Sequence, residues 1–190
     1  MTARAVDDGS VRCAADGPLR AHDAYIAVGS NIDPERNVVA ALEKLRGRVE
    51  VVGVSTFYRS AAVGGPEQPA FVNGVVHVRT ARSPRGLKFE VLRRIEDELG
   101  RIRGQDKFAP RTIDLDLVLY DRCVIDEPEL RIPDPGIGER PFVAVPLLEL
   151  APDLAIADSG RAPASTEAAS AAAEDLEALP ELTRRLRGED

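Results

Sequence analysis

The chain has 190 residues, 44% hydrophobic and 30% charged, with 25 Lys and Arg against 32 Asp and Glu for a net charge of −7. That length holds one domain with a substantial core, and the acidic balance argues against a surface for nucleic-acid phosphates. No apolar run reaches the length of a membrane span, and the N-terminus lacks the hydrophobic stretch of a signal peptide.

Trp is absent and aromatics are only 4%, so the core must come from Val, Leu, Ile and Ala. Their short β-branched runs favour a mixed α and β chain over a helical bundle. Cys13 and Cys123 show no metal-ligand spacing; the expectation is no disulfide and a reducing cytoplasm.

Residues 1–22 are polar and aperiodic, and are read as a disordered leader. Order is expected from Ala24 to Val28, an apolar strand closed by Gly29-Ser30-Asn31. Asp33-Pro34 then opens a helix, with Asp as cap and Pro at the first position. Val38, Leu42 and Leu45 form its stripe, and Gly47 ends it. Val49–Arg59 and Phe71–Arg79 are β-rich. The Gly- and Pro-containing loop Ser60–Ala70 between them is longer than a hairpin needs, a length that often marks function.

Ser83-Pro84 starts a second helix, with Leu87, Val91, Leu92, Ile95 and Leu99 inward and Gly100 as stop. A basic stretch, Arg101–Arg111, precedes an alternating strand, Thr112–Tyr120. Val124-Ile125 and Leu130–Ile132 suggest a short strand pair. Phe142–Leu150 reads as helical despite Pro146. Residues 23–158 form the domain, and 159–190 are an acidic, Ala-rich tail with a weak helix near Asp175–Leu186. The order β-α-β-β-α-β predicts an α+β fold: a ferredoxin-like core with a mainly antiparallel sheet, plus an added C-terminal strand pair and helix.

The strand Thr112–Tyr120 bears most on chemistry. Side chains alternate between faces, so Ile113, Leu115, Leu117 and Leu119 are expected inward, and Asp114, Asp116 and Val118 on the other side. Carboxylates at i and i+2 stand roughly 6–7 Å apart at Cα and can converge on a hard cation, as magnesium sites at nucleotides require. Asp-x-Asp alone fits a solvent-facing strand equally well. Upstream, Arg101, Arg103, Lys107 and Arg111 supply the cations that phosphoryl transfer needs around a migrating group. No Gly-rich phosphate loop of the common types is present, and neither His22 nor His77 stands in a catalytic constellation.

These residues fall into an ordered set. Ala24–Asn31 (AYIAVGSN), Ser55–Ser60 (STFYRS), Gln68–Asn73 (QPAFVN), Ala109–Leu117 (APRTIDLDL) and Arg140–Pro152 (RPFVAVPLLELAP) together resemble the 6-hydroxymethyl-7,8-dihydropterin pyrophosphokinase family over about Ala24–Asp158. The resemblance implies transfer of pyrophosphate from ATP to a reduced pterin, with AMP leaving. It implies two magnesium ions on Asp114 and Asp116, with Arg101 and Arg111 on the phosphates as catalytic groups. Arg103, Lys107, Leu117, Asp134 and Arg140 match the nucleotide side. Gly29, Ser60, Ala61, Val63, Phe71, Asn73 and Phe142 match a pterin pocket, the ring lying between two aromatics.

A monomer acting on small molecules in the cytoplasm, with no nucleic-acid or membrane partner, is the matching expectation. The chain departs from the family pattern where Asp134 replaces a nucleotide-contacting His, where Phe108 replaces Trp in some members, and where Ala61 and Ala62 replace prolines. At the sequence level a non-turning binding domain and a metal-dependent phosphohydrolase remain as rivals.

Overall fold

The computed structural model describes residues 11–12, 20–62, 68–104, 109–152 and 175–189. In chain order the elements are β1 (Val11–Arg12), β2 (His22–Ser30), α1 (Pro34–Arg46), β3 (Glu50–Val54), β4 (Tyr58–Ser60) and β5 (Phe71–Thr80). A π-helical segment (Gly86–Leu92) then runs into α2 (Arg93–Glu98), followed by β6 (Asp114–Tyr120), β7 (Val124–Glu127) and β8 (Leu130–Ile132). A 3-10 turn (Pro135–Gly138), α3 (Pro141–Leu150), β9 (Glu177–Ala178) and α4 (Pro180–Arg187) complete the chain.

The main sheet runs β6-β2-β5-β4-β9, with β3 also paired to β5, and its pairings are antiparallel. β2 therefore lies between β5 and β6, and carries the register of both. Period-two alternation places Ala24, Ile26 and Val28 in the main core, with Val38, Leu42 and Leu45 of α1, Leu87, Leu92 and Ile95 of the second helical stretch, and Leu182 and Leu186 of α4. A second core lies on the opposite face, where Val143 and Leu147 of α3 meet Val75, Val118 and Leu119. α3 is apolar nearly all round because it covers a sheet face rather than solvent, and Pro146 is buried within it.

Four local readings are corrected. Asp33 has φ 41 and makes no side-chain cap; Asn37 Nδ2 instead donates to the Ile32 carbonyl at 2.6 Å. Leu119 does not share a face with Leu115 and Leu117. The β2–β6 register shifts between Tyr25 and Ile26, so Tyr25 faces Leu119 and Ile26 faces Leu117, leaving Val118 as the extra residue of a bulge. From there on, successive side chains exchange faces, and Val118 and Leu119 both pack under α3.

The second helix begins as a π segment, where Leu87 and Leu92, five residues apart, are both fully buried. Finally, Cys123 is disulfide-bonded, against expectation; Cys13 lies outside the described residues. Arg12 pairs with Val124, the residue after Cys123.

Parts of the expected leader and tail are built into this architecture. Val11–Arg12 pairs with β7, and His22 already belongs to β2, its Nδ1 lying 2.6 Å from Asp121 Oδ2. β9 pairs with β4, and α4 seats Leu182, Thr183 and Leu186 in the core. Among the described residues, no helix is long and apolar enough to cross a membrane.

Candidate active site

The sheet register assembles the site. Gly29, near the end of β2, pairs with Asn73 of β5 on one side and Asp114 of β6 on the other. Ala27, two residues earlier on the same face, pairs with Val75 and Asp116. Strands lie about 4.8 Å apart, so a single three-strand step separates Asn73 from the two aspartates. A Cβ on Gly29 would stand 2.8 Å from Asn73 Oδ1 and 3.9 Å from the Phe71 ring; only glycine allows that approach. Asn73 Nδ2 donates to Ser60 Oγ at 2.9 Å, which fixes the amide's orientation.

Asn31, 3% exposed, ties the site's loops together. Its Nδ2 donates to the Pro69 carbonyl at 3.3 Å, and its Oδ1 accepts from Arg111 N at 2.7 Å. Ser30 Oγ donates to the Thr112 carbonyl at 2.6 Å. The strand-end Gly-Ser-Asn is thus a clamp on the segment that delivers Arg111.

Asp114 and Asp116 both face the cavity, and both are already engaged by cations. Asp114 Oδ2 accepts from Arg111 at 2.7 Å, and its Oδ1 meets Arg101. Burial would raise the Asp114 carboxyl, but the Arg101 and Arg111 guanidiniums outweigh it and hold it below the ordinary carboxylate range. Asp116 Oδ1 accepts from Lys88 Nζ at 2.7 Å. Behind them Glu96, 4% exposed, accepts from Leu115 N at 2.9 Å and from Arg101 at 3.0 Å. Burial pushes its carboxyl up despite these donors.

On the far wall, Asp134 caps the 3-10 turn through Gly136 N at 2.6 Å. A Cβ on Gly136 would lie 2.7 Å from Asp134 Oδ1 and 3.0 Å from the Arg140 side chain, so this glycine lets both groups close on one point. Burial first, and then the Asp116 charge, push the Asp134 carboxyl up; Gly136 N, Arg140 and Lys88 act against that.

These walls enclose a cavity of about 390 Å³, within the size range of small-molecule sites. Of the residues expected at the site, Gly29, Ser60, Ala61, Phe71, Asn73, Arg111, Asp114, Asp116, Asp134, Arg140 and Phe142 line it. The Arg111 guanidinium also lies 5.7 Å from the Phe71 ring centre, linking the aromatic end to the charged end.

Arg101 acts from behind Asp114. Arg103 is turned to α2, on Glu96 and Asp97, and the Leu117 side chain packs in the main core. Val63 and Lys107 lie outside the described residues. Lys88, Glu96 and Asn31 were not anticipated. The first two sit on a helix whose apolar stripe gave no hint of where its polar side chains point, whereas Asn31 was visible as part of a strand-end motif without a role.

Oxygen donors from two carboxylates, open to phosphate oxygens and water, suit magnesium. Among the described residues no group of three or more His, Cys, Asp or Glu is arranged to hold a metal, so such a site would need the substrate's phosphates to complete it.

Residues 25–152 match the family described as 7,8-dihydro-6-hydroxymethylpterin-pyrophosphokinase. A Synechocystis 2-amino-4-hydroxy-6-hydroxymethyldihydropteridine pyrophosphokinase is 41% identical over 150 residues, covering 77% of this chain and 75% of that protein. The enzyme of the same name from Haemophilus influenzae is 41% identical over 139 residues, 72% of this chain and 86% of its own. The folic acid synthesis protein fol1 of Schizosaccharomyces pombe is 42% identical over 135 residues, 69% of this chain but 18% of that longer protein.

Proposed function

The chain belongs to the 7,8-dihydro-6-hydroxymethylpterin-pyrophosphokinase family, and from that premise we propose how its residues divide the work. The protein transfers pyrophosphate from ATP to 6-hydroxymethyl-7,8-dihydropterin in folate biosynthesis. One observation supports the division: Gly29 pairs with both Asn73 and Asp114, so a flat heterocycle at one end of the cavity meets phosphates at the other.

Phe71 and Phe142 stack on the pterin, while Asn73, oriented by Ser60, and the backbone near Ala61 hydrogen-bond its amide edge. Asp114 and Asp116 would hold magnesium, two ions when the phosphates are present, and the metal supplies charge neutralisation for the triphosphate. Arg111 and Arg140 would reach the phosphates directly, Arg101 supports them from behind Asp114, and Asp134 frames the nucleotide; Arg103, turned to α2, and Leu117, whose side chain packs in the core, are given no contact with it. The pterin hydroxymethyl oxygen forms a bond to the β-phosphorus, the bond from that phosphorus to the α,β-bridging oxygen breaks, and AMP leaves as the hydroxyl proton is lost. Preorganised cations aimed at the phosphates supply most of the catalysis.

The strand order β6-β2-β5-β3, with helices after β2 and β5, supports the ferredoxin-like reading of the core. A monomer acting on small molecules is part of the same proposal. The net charge of −7 supports the absence of a nucleic-acid partner, and no membrane partner is proposed. A cytoplasmic location is proposed from the need for ATP and reduced pterin, and the Cys123 disulfide does not add to it.

The test is product identity. Protein, ATP, magnesium and hydroxymethyldihydropterin should give AMP, not ADP, and only with pterin present. Asp116→Asn should lower the rate by on the order of a hundredfold or more, as loss of a key electrostatic group does, with the circular-dichroism spectrum unaltered. AMP release at the wild-type rate would overturn the metal assignment.

A further inference from the structure

The π-helical segment brings Lys88 to the site from the outer edge of β6. Lys88 Nζ donates to the Leu115 carbonyl at 3.2 Å and to Asp116 Oδ1 at 2.7 Å, with only 15% of its side chain exposed. Glu96 takes the Leu115 N–H on the same edge, and Arg101 takes the Ile113 carbonyl at 2.7 Å. Polar side chains thus cover the strand edge, which by itself would be a structural duty. Lys88 does more, because it places a full positive charge on an expected metal ligand.

Asp134 lines the same cavity as Asp116. Burial first, and then the Asp116 charge, push its carboxyl up, while the Lys88 charge acts the other way. A lysine ammonium on a four-carbon stem can swing between two such acceptors, as a rigid guanidinium fork cannot.

We propose that Lys88 is a place-holding cation: it neutralises Asp116 while the site is empty and passes to Asp134 when a divalent ion takes Asp116. Asp134 is then the receiving carboxylate, which explains an acid beside a phosphate site. Lys88 is a positioning residue and touches no reacting atom. The proposal rests on Asp116 being a metal ligand.

The test is metal affinity without turnover: Mn²⁺ alone, followed by electron paramagnetic resonance, titrated into the full chain without nucleotide or pterin. Lys88→Met removes the competing cation and should tighten Mn²⁺ binding by about three- to tenfold, the scale of a partly exposed ion pair. Lys88→Gln, measured beside it, should tighten binding in the same direction and covers any packing fault in the Met variant. Asp134→Asn leaves Lys88 on Asp116, and should weaken Mn²⁺ binding by about threefold in the wild-type background but not in the Lys88→Met background.

Unaltered or weaker binding in both Lys88 variants overturns the proposal. Weakening by Asp134→Asn in both backgrounds also overturns it, since Asp134 would then be a metal ligand itself. Asp116→Asn separates this from the underlying reading. If it leaves Mn²⁺ binding unchanged, the metal assignment fails and the proposal with it; if it weakens binding while Lys88→Met does not tighten it, only the proposal fails.

Discussion

At Gly29 a single missing methyl group decides whether two halves of a site can coexist. A Cβ there would meet Asn73 Oδ1 at 2.8 Å, and the amide held by Ser60 has little room to retreat. Gly29→Ala should therefore cost on the order of 1–3 kcal/mol as overpacking and weaken pterin binding by about tenfold, one amide hydrogen bond's worth. Equilibrium titration with the pterin checks this, and unchanged affinity would remove Asn73 from the pocket.

Asp134 gives a pH signature at the same scale. Burial and Asp116 raise its folded pKa above an unfolded value of about 3.9. A raised acid favours the folded state when protonated, so its cost is absent below the unfolded pKa and appears as pH rises through the folded one. Asp134→Asn keeps the cap to Gly136 N, because Asn caps as well as Asp. Thermal melts should show the variant gaining on the wild-type protein from pH 4 to pH 7, with little difference at the acid end. Asp114 has the opposite sign: Arg101 and Arg111 hold it low, so its contribution is present above the unfolded pKa and is lost as pH falls through the folded one.

Among the elements, β6 and α4 carry the clearest consequences. The bulge in β6 ends the clean alternation after Val118 and puts Leu119 beside it under α3, the helix whose Phe142 and Val143 also line the cavity. α4 is polar in sequence, but Leu182 and Leu186 seat it against α1 and β3, and Thr183 Oγ accepts from Phe57 N at 3.0 Å. Leu186 is 1% exposed, so Leu186→Ala should cost about 2–5 kcal/mol. It should lower the urea midpoint with little change in slope. A midpoint equal to wild type would mean that α4 is not part of the folding unit.

For the whole molecule, ligand binding should read out as stability. A ligand at about 100 times its dissociation constant adds about 2.7 kcal/mol to the folded state, which for a chain of this size is roughly 5–10 °C in melting temperature. Magnesium with a non-hydrolysable ATP analogue should produce such a shift, and EDTA should abolish most of it. A shift that survives chelation would place nucleotide binding on the arginines alone.

Apart from the aromatic-amide pair, which followed only from the family resemblance, the sequence by itself determined the order of the central strands and helices, the mainly antiparallel α+β character and which residues are chemically equipped: two aspartates on one strand face and a run of cations. These are local properties, set by period-two and helical patterning and by side-chain chemistry. Partnership was left to the tertiary structure. Sheet register put Gly29 between Asn73 and Asp114, the bulge moved Leu119 to the α3 face, and packing turned Arg103 toward α2 while the π segment carried Lys88 to Asp116. No local pattern encodes those choices, because each depends on contacts between segments tens of residues apart, made only when the chain closes on its core.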